Sequence, residues 1–151
     1  MIGPIAIAVL LERSTRSSGW IASAHFSSPP RKAWINEIFS RARAAASPAV
    51  VIAAHGNPFV PNGPANGYTA TVQALRDAAR GFAGPVLFIH GDTHKRRLDQ
   101  PFLRDAEDPV ANFWRLEVFG YPDLLAMRVI LDPAANPPVV THTITTDKPL
   151  E

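Results

Sequence analysis

Hydrophobic and polar positions fall into blocks of two different periods along the chain. Ile5–Leu11 and Trp20–Phe26 are short apolar runs separated by the polar stretch Glu12–Gly19. Ser27-Ser28-Pro29-Pro30 then carries a helix-start signal, a serine cap with proline in the first turn. Trp34, Ile35, Ile38, Phe39 and Ala42 recur at helical spacing, with Arg31, Lys32, Glu37 and Arg41 off that stripe. Ser47-Pro48 ends the helix. Ala49–Ala54 (AVVIAA) is apolar at every position, which predicts a strand buried on both faces. Thr69 is the expected cap of a second helix, with Val72, Leu75, Ala79 and Phe82 on one side and Gly84-Pro85 as its stop. Val86–His90 (VLFIH) is a second buried-type strand. Beyond it Phe113–Phe119 alternates, Gly120–Asp123 is a turn, and Leu124–Leu131 and Pro138–Thr145 read as further strands. Three strands so close in sequence predict antiparallel pairing. The expected fold class is therefore α/β (α+β), β-α-β-α-β followed by a β-meander.

Composition narrows this picture. The 151 residues are the size of one domain. Cysteine is absent, which excludes disulfides, a cysteine nucleophile, cysteine-held zinc and iron–sulfur clusters. Proline contributes 15 residues, about twice its usual ~5% share, which disfavours long bundles and coiled coils. Fifteen Lys and Arg against 13 Asp and Glu give a net charge of +2, too small to imply a nucleic-acid partner. The run Ile5–Leu11 is far short of the ~20 residues a membrane span needs. No Lys or Arg precedes it, so the Ala22-Ser23-Ala24 triplet makes a poor signal-cleavage site and a cytoplasmic location is expected over a periplasmic one.

The candidate chemistry lies just past the two buried-type strands. His55 directly follows AVVIAA, and Gly91-Asp92-Thr93-His94 follows VLFIH. Ligands of open α/β sheets bind at the carboxyl ends of the strands. Imidazole suits Zn, Mn or Fe there, and Asp92 adds an oxygen donor. The loop His55–Tyr68, rich in Pro, Gly and Asn, is long enough to be functional. His90 immediately precedes the motif and is expected as a core or supporting residue. Lys95-Arg96-Arg97 form either a phosphate-holding cluster or a solvated turn. No P-loop, GxGxxG, GxSxG or HExxH pattern occurs.

Val86–Phe102 (VLFIHGDTHKRRLDQPF) and Asn112–Pro122 (NFWRLEVFGYP) resemble the C-terminal portion of bacterial calcineurin-like metallophosphoesterases. The resemblance runs from about Trp34 to Leu131. The superfamily has a late Gly-His-x-His motif and an isolated histidine after an earlier strand. Gly91-Asp92-Thr93-His94 matches the first with Asp92 in place of its first histidine, and His55 matches the second. The resemblance implies the C-terminal half of a four-layer α/β/β/α sandwich. It implies metal ligands His55, Asp92 and His94, with His94 and Asp92 catalytic. His90, Asn57, Arg96 and Arg97 would support the ligands or contact substrate. It also implies a divalent metal (Mn, Fe or Zn) and a phosphate-ester substrate.

The superfamily's Asp-x-His, Gly-Asp and Gly-Asn-(His/Asp) motifs do not stand before His55. Reading Asp92-x-His94 as the first of these fails, because neither of the other dipeptides follows His94. The expected organisation is thus a single partial metallophosphoesterase-like domain over residues 1–151, with residues 1–28 an unassigned N-terminal segment. The first expected function is a metal-dependent phosphoesterase-like hydrolase domain, truncated and inactive alone. Its partner would be a missing N-terminal half or a second copy in a homodimer. The alternative is a non-catalytic remnant acting as a dimer or interaction module. A third reading is a mononuclear zinc hydrolase on His55, His90 and His94 with water in the fourth position.

Overall fold

In the computed structural model the described residues are 6–9, 31–59, 68–105, 107–123 and 125–144. The apolar run Trp20–Phe26, the Ser27–Pro30 helix start and most of the loop after Phe59 lie outside them. In chain order the elements are β1 (Ala6–Val9), α1 (Arg31–Ala44), β2 (Val50–Ala53), α2 (Thr69–Arg80), β3 (Val86–His90), β4 (Arg97–Asp99), β5 (Phe113–Glu117), β6 (Ala126–Leu131) and β7 (Val139–Ile144).

Helix α1 forms where the apolar stripe stood: Ile35, Ile38, Phe39 and Ala42 are buried, and Trp34 is half-buried. Arg41 and Arg43 lie in its last turn, where cations favour the helix dipole. Helix α2 buries Thr71, Ala74, Leu75, Ala78 and Ala79. Its N-cap is Tyr68, not Thr69, and no side chain caps it. Tyr68 already has near-helical angles, and its carbonyl accepts the Val72 N–H at 2.9 Å, so Thr69 falls inside the first turn.

Five strands form one sheet in the order β1-β2-β3-β5-β4. The first four are parallel, and β4 closes the edge antiparallel to β5. Val50, Ile52, Val86, Phe88 and Phe113 project from one face into the helix-side core with α1 and α2. Phe39 and Phe82 meet edge-on there at 5.8 Å. Leu87, Leu116, Ile89, Leu98, Trp114 and Val118 project from the other face and pack against Met127, Val129, Leu131 and Val139 of the β6–β7 hairpin. The layers are therefore helices, a mixed sheet and a two-stranded sheet, a mixed α/β arrangement. β6 alternates inward Met127, Val129 and Leu131 with exposed Ala126, Arg128 and Ile130, the period of a strand covered on one side. No helix among the described residues is long and apolar enough to cross a membrane.

The expected meander is corrected. Phe113–Phe119 does not begin an antiparallel series: its strand, β5, lies parallel to β3 inside the main sheet, and only β6 and β7 remain as a hairpin. The segment Gly91–Asn112 is long enough for a crossover, and it carries the short strand β4, which the sequence reading did not contain. The alternation of β5 is not buried-against-solvent either. Its polar members Arg115 and Glu117 point into the helix side and are 5% and 0% exposed.

Arg115 is held there by Asp99, its register partner on β4. Nε donates to Oδ1 at 2.8 Å and Nη2 donates to Oδ2, a two-pronged pair, while the guanidinium lies 5.0 Å from the Phe59 ring centroid. Removing one member of such a pair strands the other charge. Asp99→Ala is expected to lower unfolding stability by about 3 kcal/mol, the low end for a buried pair because Asp99 is partly exposed. Arg115→Met is expected to cost less, since it removes the buried charge itself. Urea unfolding of the two variants checks this, and an Arg115→Met loss larger than that of Asp99→Ala would contradict it.

Candidate functional site

Because β2, β3 and β5 run parallel, their carboxyl ends share one edge of the sheet. Backbone bonds continue past the strands and hold the loops there together. Ala54 N–H donates to Ile89 O at 2.9 Å, Gly91 N–H to His55 O at 3.1 Å, and Val118 N–H to His90 O at 2.9 Å. Three loops thus meet: the one from His55, the one from Gly91, and the one from Val118.

The first loop carries Asn57, which is 5% exposed. Its side-chain Oδ1 accepts the Phe59 N–H at 2.9 Å, a turn that asparagine stabilises on its own. Its backbone N–H donates to Asp92 Oδ2 at 3.2 Å. Asn57 and Asp92, expected at one site, are therefore in contact. His55 contributes its carbonyl to Gly91, while its side chain is exposed.

The Gly91–His94 loop is tightly wound. Thr93 N–H bonds Gly91 O at 3.2 Å, closing a three-residue turn on Asp92. Asp92 has φ 81 and His94 φ 59, both in the left-handed region that non-glycine residues avoid. Such angles cost of order 1 kcal/mol or more each and persist only where neighbours over-determine them. Those neighbours come from the third loop and from β5. Glu117 Oε1 accepts the Thr93 hydroxyl and, at 3.5 Å, the Lys95 N–H. His94 Nδ1 lies 2.9 Å from Tyr121 O. A carbonyl can only accept, so Nδ1–H is the donor, and in the neutral ring Nε2 carries the lone pair. The ring is accommodated by Gly120: a Cβ at that position would overlap it.

His90, the last residue of β3, is 1% exposed and packs on Phe88 and Phe59 at 5.7 and 6.4 Å. Burial holds its pKa below the ordinary histidine value, against the opposing pull of the Gly91 carbonyl and Glu117. Arg96 is turned away from Asp92: its guanidinium donates to Thr141 Oγ1 on β7 at 2.7 Å and ties the hairpin to the sheet. Arg97 is exposed at the start of β4, in register with Glu117.

Asp92 and Asn57 are thus joined directly, His55 through its backbone, and His94 through the Tyr121 loop. Sequence reasoning missed Glu117. It occupies a polar position of an alternating strand, which reads as solvent-facing until both faces of β5 are known to be covered. Its position two residues after Arg115 in that strand carries no separate signal.

A resident metal ion is the group the resemblance implies. Among the described residues no group of three or more histidines, aspartates or glutamates is assembled to hold one. Asp92 and His94 flank Thr93, but His94 leans to Tyr121 and Asp92 to Asn57. The expected trio of His55, Asp92 and His94 does not by itself fit a closed metal centre. Comparison with known proteins finds no matching family model, no matching curated protein and no matching solved structure.

Proposed function

We propose that this chain is a metal-dependent phosphoesterase-like hydrolase domain whose metal centre is completed by a second copy of the chain. One observation carries the reading: the two segments that resemble metallophosphoesterases, Val86–Phe102 and Asn112–Pro122, meet at the carboxyl edge of the sheet. They are joined by Thr93 to Glu117 and by His94 to Tyr121. The left-handed residues Asp92 and His94 lie at that junction, where backbone strain and function commonly coincide. His94 is an exposed residue with its Nδ1–H anchored on a backbone carbonyl, the posture of an imidazole that binds a cation or exchanges a proton. In this reading the helix, sheet and hairpin layers are the α/β/β part of a calcineurin-like sandwich. A second copy of the chain in a homodimer supplies the rest, the substrate is a phosphate ester, and the cytoplasm is the compartment.

The experiment is hydrolysis of bis-p-nitrophenyl phosphate by the purified chain in Mn2+ or Zn2+, with metal content measured on the same sample. Hydrolysis abolished by chelator is expected, and His94→Ala is expected to lower it at least ~100-fold, the scale of a lost acid–base group. Absence of both metal and hydrolysis would overturn the reading, and so would full activity in His94→Ala.

A second reading, a non-catalytic interaction module, is favoured by Ile130 and Val140. They are register partners on the outer face of β6–β7 and are 44% and 39% exposed. Concentration-dependent association without hydrolysis would select it.

A further inference from the structure

His94 is gripped by the end of β5 and by the turn that follows it. Glu117 holds the backbone on either side of it: Oε1 accepts the Thr93 hydroxyl and, at 3.5 Å, the Lys95 N–H. Tyr121 holds the ring, its carbonyl 2.9 Å from Nδ1. The turn is itself pinned to the sheet by Val118 N–H on His90 O at 2.9 Å. Between the two holds stands Gly120. A Cβ there would overlap His94 Cγ and Cδ2 and come within 2.7 Å of Nε2, and these three ring atoms are the nearest it would meet. Carbon atoms in contact rest at about 3.5–4.0 Å, so a methyl group and the ring cannot both keep these places. The φ of Gly120 lies outside the left-handed region. Other residues could adopt that φ, so glycine is required there by space and not by conformation.

With a side chain at position 120, the ring must turn away, because Glu117 fixes the backbone on both sides of His94. Turning breaks the bond from Nδ1–H to Tyr121 O. We infer that Gly120 is a positioning residue for His94. Its missing side chain is the slot in which the ring binds Tyr121 through Nδ1–H and keeps Nε2 as the nitrogen that accepts a proton or a cation. Which imidazole nitrogen reacts is set by the hydrogen bond that the other one makes. Without the Tyr121 bond the ring is released to its ordinary preference for the Nε2–H form, and the lone pair moves to Nδ1. The consequence for hydrolysis rests on the proposed phosphoesterase function; the choice of tautomer does not.

The test is 15N NMR of histidine-labelled protein at alkaline pH with no metal or substrate added, the His94 ring resonances being assigned with His94→Gln. The parent is expected to hold His94 mainly as the Nδ1–H tautomer. Gly120→Ala is expected to shift it mainly to Nε2–H while the amide spectrum of the sheet is retained. Gly91→Ala is the control in the neighbouring loop: its Cβ would meet nothing closer than 3.8 Å, and the His94 tautomer is expected to stay as in the parent. A parent in the Nε2–H form, or in an even mixture, overturns the inference even where Gly120→Ala does not fold. A folded Gly120→Ala that keeps Nδ1–H overturns it too. On the same samples, kcat for bis-p-nitrophenyl phosphate is expected to fall about 10- to 100-fold in Gly120→Ala with KM little changed, the scale of a misplaced reacting group. An unchanged kcat would remove Gly120 from the reaction. A parent without hydrolysis counts against the phosphoesterase function alone, because the tautomer is read without substrate or metal.

Discussion

Asn112→Asp is expected to lower unfolding stability by about 3 kcal/mol, a large part of what a domain of this size has. The Asn112 amide nitrogen donates towards three carbonyls at once: Ala79 O at 2.9 Å, Phe82 O at 2.8 Å and Gly84 O at 3.0 Å. Ala79 lies in the last turn of helix α2, Phe82 follows its C-cap Gly81, and Gly84 opens the turn into β3. Ala79 O also accepts the Phe82 N–H at 3.0 Å, so the side chain adds to the backbone bonding that closes the helix end. The Asn112 carbonyl also accepts the Val86 N–H at 2.8 Å, so the same residue starts the β3–β5 pairing. A carboxylate would set negative oxygen against three negative carbonyl ends with no donor between them. Asn112→Ala removes the donor without adding charge and leaves room for water, so about half that loss is expected. The measurement is the urea midpoint of both variants with the slope unchanged. Equal midpoints for Asp and Ala would show that the amide does not hold these carbonyls.

Gly84→Ala is expected to cost a similar ~3 kcal/mol, by overpacking. A Cβ at Gly84 would overlap the Pro48 carbonyl oxygen and come within 2.9 Å of its carbon and 3.1 Å of the Phe82 ring. Neither backbone can retreat freely, because Val50 N–H bonds Pro85 O at 3.1 Å and binds the same two segments together. Gly81→Ala is the control. Its Cβ would meet nothing closer than 3.7 Å, and its φ of −82 suits any residue. That variant is expected to unfold within ~1 kcal/mol of the parent, with a gain if the unfolded chain is stiffened. Thermal unfolding of the pair distinguishes a specific clash from a general intolerance of alanine in this turn; equal shifts would refute the clash.

Both variants act at the amino ends of the parallel strands, where Pro48, Gly84 and Asn112 come together. The residues with chemical potential lie at the opposite ends, on Asn57, His90, Asp92, His94 and Glu117. The division has a physical source. At the amino edge the chain enters three adjacent strands through tightly bonded turns, and little side-chain freedom is left. At the carboxyl edge the loops must leave the sheet, and polar groups gather there beside the ends of buried strands. Stability variants and site variants are thus separable in this protein by position along β2, β3 and β5.

Much of this was legible in residue order. The stripe Ile35–Phe39–Ala42 could bury one face only as a helix. AVVIAA and VLFIH, apolar at consecutive positions, could be satisfied only as strands covered on both sides, and Val50, Ile52 and Leu87 are indeed almost wholly buried. The placement of His55 and Gly91–His94 beyond those strands follows from the same reading. Local patterning carries such information because each element must match its own period of burial.

Position in the sheet is not a local property. FWRLE reads alike in a one-sided hairpin and in a two-sided parallel sheet, and only the company of β3, β4, the helices and the hairpin decided between them. That decision made the polar members of the alternation, Arg115 and Glu117, buried charges, one paired with Asp99 and one left with an unpaired oxygen. Backbone strain at Asp92 and His94 and the grip of Tyr121 on the His94 ring likewise arise between segments far apart in sequence. Residue order marked where polar chemistry would gather; the tertiary contacts determined which groups are desolvated, and desolvation is what makes them candidates for binding.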